Sequence, residues 1–130
     1  MKVIWTNGCF DVLHRGHIEL FKYAKSLGDW LVVGADEDER VKASKGDSRP
    51  INNIEDRVAI LESIRYIDEV RSFDIDCELE TQILLSGASV IVVGSDYKGR
   101  KVIGSHLVDE VKFFERIGDY STTKILGNLE

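Results

Sequence analysis

Short, continuous apolar runs alternate along this chain with stretches whose apolar residues recur every third or fourth position. Residues 3–5, 31–33 and 90–93 are runs of the first kind, the pattern of strands buried on both faces. Residues 70–73 and 111–114, apolar at their ends with polar residues between or beside, are further strand candidates. Between them, Ile18, Phe21, Ala24 and Leu27 fall at helical spacing, as do Ile54, Val58, Leu61 and Ile64, and more briefly Leu79 and Ile83. Gly28 and Gly87 stand where helix C-caps are expected. Strand–helix alternation of this kind predicts an α/β fold, with a parallel sheet of about five strands and helices on both faces. Such sheets bind ligands beyond the carboxyl ends of their strands, at a topological switch point. The loops after Trp5 and after Val93 fall on that rim. The only proline, Pro50, lies in a polar connection, 44–53, which reads as a surface loop able to move.

Composition narrows the class. A chain of 130 residues is expected to be one domain, residues 1–130, large enough for one substantial core. A net charge of -6 argues against general nucleic-acid binding, which calls for a basic footprint. It leaves nucleotides open, because a few local cations can hold a triphosphate. No apolar stretch approaches the roughly 20 residues of a membrane span, so no membrane association is expected. Met1-Lys2-Val3 leads straight into a strand, with no visible signal peptide. Cys9 and Cys77 make neither a disulfide framework nor a zinc site, and a reducing cytoplasm is the expected home. Trp5 and Trp30 read as core or flank residues rather than base-stacking platforms.

The chemistry concentrates in Asn7-Gly8-Cys9-Phe10-Asp11-Val12-Leu13-His14-Arg15-Gly16-His17. It joins the first strand to the first helix and carries two histidines three positions apart. A lone histidine there is an ordinary cap or core residue. A pair of them, with Gly16 between, at a helix N-terminus whose N–H groups attract anions, fits a nucleotide phosphate. Gly16, lacking a Cβ, lets a phosphate approach the backbone. Further along stand Lys45-Gly46-Asp47-Ser48-Arg49-Pro50-Ile51-Asn52, then Asp56-Arg57, then Ile67-Asp68-Glu69-Val70, and finally Tyr120-Ser121-Thr122-Thr123-Lys124-Ile125.

These elements, in this order, resemble the HxGH nucleotidylyltransferases, the cytidylyltransferase-like family, over nearly the whole chain. The resemblance implies a single Rossmann-like domain. It also implies that His14 and His17 contact the nucleotide phosphates and stabilise charge at the α-phosphorus. It gives Lys45 and Arg57 contacts to the triphosphate or the acceptor phosphate, and Arg65 a contact to the acceptor. Gly8, Cys9, Phe10, Gly94, Asp96 and Arg116 are expected around the nucleotide. Asp96 reads the base or ribose, or seats the acceptor. Asp11 is open between a partner of the histidines that reaches the acceptor and a turn-forming carboxylate. Ser121, Thr122 and Thr123 are explained in part by N-capping, and the resemblance adds contacts to the β- and γ-phosphates.

The implied reaction is nucleotidylyl transfer: an acceptor phosphate oxygen attacks the α-phosphorus of a nucleoside triphosphate, and pyrophosphate leaves. Positioning and charge neutralisation carry such chemistry, and Mg²⁺ is expected to arrive on the triphosphate. Two branches of the family compete. Chain length and residues 67–70 look like the glycerol-3-phosphate cytidylyltransferases. The segments 7–11, 49–52, 94–97 and 102–104 look more like the branch that joins ATP to a heptose 1-phosphate-like sugar phosphate, which is slightly favoured. The sequence departs from both, having Ser95 in place of the other small residue usual in the heptose branch. It also has Tyr97 where the glycerol branch has a tryptophan. Either product would feed cell-envelope synthesis, and the resemblance implies a homodimer. A non-catalytic nucleotide-binding module stays open, since fold alone does not make an enzyme. A receiver domain needs an acidic cluster at the end of strand one, and a dinucleotide-binding domain needs G-x-G-x-x-G in the first turn; this chain has neither.

Overall fold

All five strand candidates become strands of one parallel sheet. The computed structural model describes residues 1–116, 118 and 120–129. In chain order they form β1 (Val3–Gly8), α1 (Arg15–Ser26), β2 (Trp30–Asp36), α2 (Asp38–Lys45), α3 (Ile54–Glu62), β3 (Glu69–Phe73), α4 (Asp76–Ser86), β4 (Val90–Gly94), β5 (Glu110–Phe114) and α5 (Thr122–Leu129). The sheet order is β3-β2-β1-β4-β5, and every adjacent pair is parallel.

Alternate residues of each strand face opposite sides of the sheet, and the core divides accordingly. Ile4, Leu31, Val33, Val90 and Val92 pack with Phe21, Ala24 and Leu61 from α1 and α3. Val3, Trp5, Val32 and Ile91 pack with Leu79 and Ile83 of α4. Helices therefore cover both faces, as the buried strands require.

Three local features differ from expectation. The helix α2 escapes the apolar pattern because it has one buried residue, Val41, in an otherwise charged segment. Ser44 and Lys45 consequently end a helix, and the irregular connection starts at Gly46. Gly28 is not a left-handed cap: α1 ends on Leu27 in the right-handed region. Gly28 is needed instead for close approach, since a Cβ there would lie 2.7 Å from the Lys2 carbonyl oxygen. Gly87 does cap α4, with φ of +72°.

Candidate active site

The chain runs from β1 through β2 to β3 on one side, then returns to place β4 on the other side of β1. This reversal is the switch point. The β1–β2 ladder continues to Gly8 opposite Ala35, whereas the β1–β4 ladder stops at Trp5 opposite Ile91. The buried Thr6 hydroxyl donates to the Val92 carbonyl at 2.8 Å. Beyond that bond the strands no longer pair, and a cleft of about 370 Å³ opens at their carboxyl ends.

The turn from β1 into α1 forms one wall. Phe10 and Val12 both hold positive φ, +51° and +52°, a region unfavourable for any side chain and more so for a β-branched one. His14 is the N-cap of α1, and its Nδ1 accepts from the Gly16 N–H at 3.1 Å. The Nδ1 of His17 accepts from the His14 N–H at 3.2 Å. A nitrogen that accepts an N–H carries no proton, so each neutral ring holds its proton on Nε2. The ring centroids lie 3.9 Å apart, Phe10 meets His17 edge-on, and Tyr120 stacks over His14. Burial, followed by the neighbouring His14, pushes the His17 pKa down to about 4. Burial, followed by the Arg116 charge, also lowers that of His14. Both rings are thus neutral Nε2–H donors at pH 7. Gly16 serves this geometry directly: a Cβ would meet the His14 ring at 2.9 Å, so the glycine makes room for the imidazole itself.

The cations Lys45, Arg49 and Arg116 line the same cleft, with Gly94 at the end of β4 and Asp96 just beyond it. Arg116 is exposed and 3.9 Å from the Asp96 carboxylate. Gly8, Cys9, Asp11 and the Ser121–Thr123 segment complete the lining. Burial raises the Cys9 pKa most, ahead of the opposing Arg57 charge, so Cys9 is a neutral thiol rather than a nucleophile. Ser121 caps α5, its Oγ accepting from the Lys124 N–H at 3.3 Å. The Thr122 hydroxyl donates to the Val12 carbonyl at 3.0 Å, which ties α5 to the histidine turn. The same strip thus combines capping with a place on the cleft wall.

Two expected residues lie elsewhere. Arg57 is buried, and its guanidinium is engaged by Cys9, Asp36, Asn52 and Asp38, so it does not reach the cleft. Arg65 is exposed and packs on its neighbour Tyr66, donating to the phenol oxygen at 2.8 Å; it is not part of the cleft wall. Asp11 is buried, accepting from the N–H groups of Ile51 at 2.6 Å and Asn52 at 3.0 Å. Sequence reasoning missed Arg49, whose Nε is buried without a hydrogen-bond partner 3.6 Å from Asp11. Its signal was its place in the Arg49-Pro50-Ile51-Asn52 segment. Tyr97, Phe114 and Tyr120 also line the cleft, and no spacing rule marked them.

A second cavity of about 580 Å³ adjoins the first, sharing Gly8, Cys9, Lys45 and Gly94, and adding Asp36, Arg40 and Lys101. Among the described residues no group of three or more His, Cys, Asp or Glu side chains could hold a metal ion. Both Asp11 oxygens already accept backbone N–H groups. Among the described residues no helix is long and apolar enough to cross a membrane.

The fold and site are thus a Rossmann-like sheet with paired neutral histidines at the first strand–helix turn and cations lining the switch-point cleft. The chain belongs to the cytidylyltransferase-like family, whose model matches residues 5–127. It is 43% identical over 129 residues to the bifunctional protein HldE of Campylobacter concisus, covering 99% of this chain and 27% of that one. Against the bifunctional protein HldE of Campylobacter fetus it is 43% identical over 128 residues, 98% of this chain and 28% of that one. The chain thus spans about a quarter of the length of these relatives. Among solved structures, a lipopolysaccharide core biosynthesis protein from Thermoplasma volcanium matches with a TM-score of 0.70 at 24% identity. That match covers 93% of this chain and 99% of the other and speaks for the fold.

Proposed function

We propose that this protein transfers an adenylyl group from ATP to a sugar phosphate resembling heptose 1-phosphate, releasing pyrophosphate. The observation that carries the transfer chemistry is the histidine pair. Two imidazoles, each with Nδ1 bound to a backbone N–H, offer two Nε2–H donors on one cleft wall. Donors fixed before the substrate arrives stabilise charge that grows at the α-phosphate with little reorganisation. An oxygen of the acceptor phosphate forms the new bond to the α-phosphorus, and the bond to the β-phosphate oxygen breaks. The acceptor is already an anion, so no base need remove a proton. Lys45 borders both cavities, and in this reading it offsets repulsion between triphosphate in the first and acceptor phosphate in the second. Magnesium enters as part of the triphosphate substrate. The HldE relatives support a sugar-phosphate acceptor and a place in cell-envelope synthesis. A cytoplasmic homodimer belongs to the same proposal and rests on family resemblance; sedimentation tests the dimer.

The test is pyrophosphate release with a matrix of triphosphates and phosphomonoesters. Turnover is expected to be highest for ATP with a heptose 1-phosphate. Highest turnover for CTP with glycerol 3-phosphate replaces this reading with the polyol branch. No release with any pair, alongside measurable nucleotide binding, leaves a binding module.

A further inference from the structure

Arg57 is 1% exposed, and its guanidinium joins three separate segments. Its Nε donates to the Asn52 carbonyl at 3.0 Å. Its Nη1 donates to the carbonyls of Cys9 at 2.8 Å and Asp36 at 2.6 Å. Its Nη2 donates to the Asp38 carboxylate at 2.7 Å. Four hydrogen bonds thus draw on an arginine's five N–H donors. They reach the end of β2, the histidine turn and the connection 46–53. A lysine ammonium, a compact charge with three donors, cannot reproduce this planar fork.

The grip is reciprocal. Asp11, on the histidine turn, accepts the Ile51 and Asn52 N–H groups from the connection. Between the Cys9 carbonyl and the Asp11 carboxylate lies Phe10 at φ +51°, and Val12 at φ +52° follows. Such left-handed residues persist where their surroundings over-determine them, and these two anchors do so. The turn they fix ends at His14, whose backbone N–H is the group that sets the His17 ring.

We infer that Arg57, with Asp11 as its counterpart, is a positioning residue: it locks the histidine turn to the connection and so sets both imidazoles without touching substrate. The effect on rate rests on the proposed transfer reaction, while the effect on the rings does not. A salt bridge that merely held the fold would alter stability alone. A phosphate contact would alter triphosphate affinity.

The test uses the full chain and the Arg57→Lys variant, read in two ways. Long-range proton–nitrogen spectra of the free protein report the imidazole tautomers: Nδ1 of His14 and His17 should read as an acceptor and Nε2 as protonated. In Arg57→Lys both rings are expected to move towards averaged tautomers. The Ile51 and Asn52 amides should exchange at least ~10-fold faster. Turnover should fall ~10²-fold, the order expected for a misplacement of about 1 Å, with the triphosphate KM within about threefold. Unshifted imidazole signals with unchanged turnover in a folded variant overturn the inference. So does a raised KM at unchanged turnover, which would show direct grip on the triphosphate. If Arg57→Lys does not fold, Asp11→Asn breaks the reciprocal hold, and the rings again decide: shifted signals support the inference and unshifted ones overturn it. Should the unmodified protein release no pyrophosphate, the transfer reaction falls, yet the imidazole signals still judge the positioning role.

Discussion

In the proposed reaction the imidazole of His17 serves structure and chemistry through different atoms. Its Nδ1 receives the His14 N–H and its Nε2–H remains for the ligand. His17→Ala should lower turnover by ~10²–10³, the range for losing one transition-state donor. Stability should fall by only about 1 kcal/mol, as for a lost cap. Turnover within threefold of the unmodified protein would remove His17 from the reaction. The depressed pKa carries a second prediction. Between the ordinary value of 6.5 and the folded value of about 4, the unfolded chain binds the proton and the folded one does not. This contribution is therefore fully present above pH 6.5 and is lost as pH falls towards 4, with a slope of up to ~1.4 kcal/mol per pH unit. Urea unfolding at pH 7, 6 and 5 should show a shallower loss for His17→Asn, which keeps an acceptor but cannot charge. Equal slopes for the two proteins would refute the assignment.

At the scale of elements, the tightest packing constraint lies in the sheet. A Cβ on Gly34 would overlap the Trp5 ring and lie 2.9 Å from Phe73. Gly34→Ala should destabilise by about 1–3 kcal/mol, the usual range for overpacking, measured by urea titration. A neutral result would show that the Trp5 ring has room to move. At α5 the three hydroxyls separate by role. Ser121 caps the helix and Thr122 donates to the Val12 carbonyl, while Thr123 is exposed on the same cleft wall. Thr123→Ala should weaken triphosphate binding more than monophosphate binding, by calorimetry; equal weakening would assign that strip to capping. The strands β1, β2 and β4 were legible because each holds a continuous buried run, and α1, α3 and α4 because each has an apolar face. The helix α2 was not, since Val41 alone anchors it. The histidine pair was readable from spacing. The fates of Arg57 and Arg65 were not, because charge and motif position do not reveal whether a guanidinium turns inward. The carbonyls of Cys9, Asp36 and Asn52, with the Asp38 carboxylate to balance the charge, make burial of Arg57 tolerable.

The whole molecule carries a net charge of -6, yet its cleft gathers Lys45, Arg49 and Arg116. Two fields compete for an incoming polyanion. At physiological salt the screening length is ~8 Å, so the cleft cations should dominate over charges on the far surface. Triphosphate affinity is then expected to fall as salt rises from 50 to 300 mM. An affinity that rises with salt would mean that repulsion from the overall charge dominates.

The late position of α5 has a consequence for how the protein comes into being. The fifth strand ends at Phe114, and the sheet is then fully paired. The segment that stacks Tyr120 on His14 and ties Thr122 to Val12 comes afterwards. A nascent chain, emerging at about 5–20 residues per second, holds its strands and both histidines before it holds the wall that faces them. Synthesis therefore delivers the scaffold first and the complete cleft last. A chain stopped at Arg116 should retain parallel-sheet structure while losing triphosphate binding, so that ligand capture reports on the presence of α5.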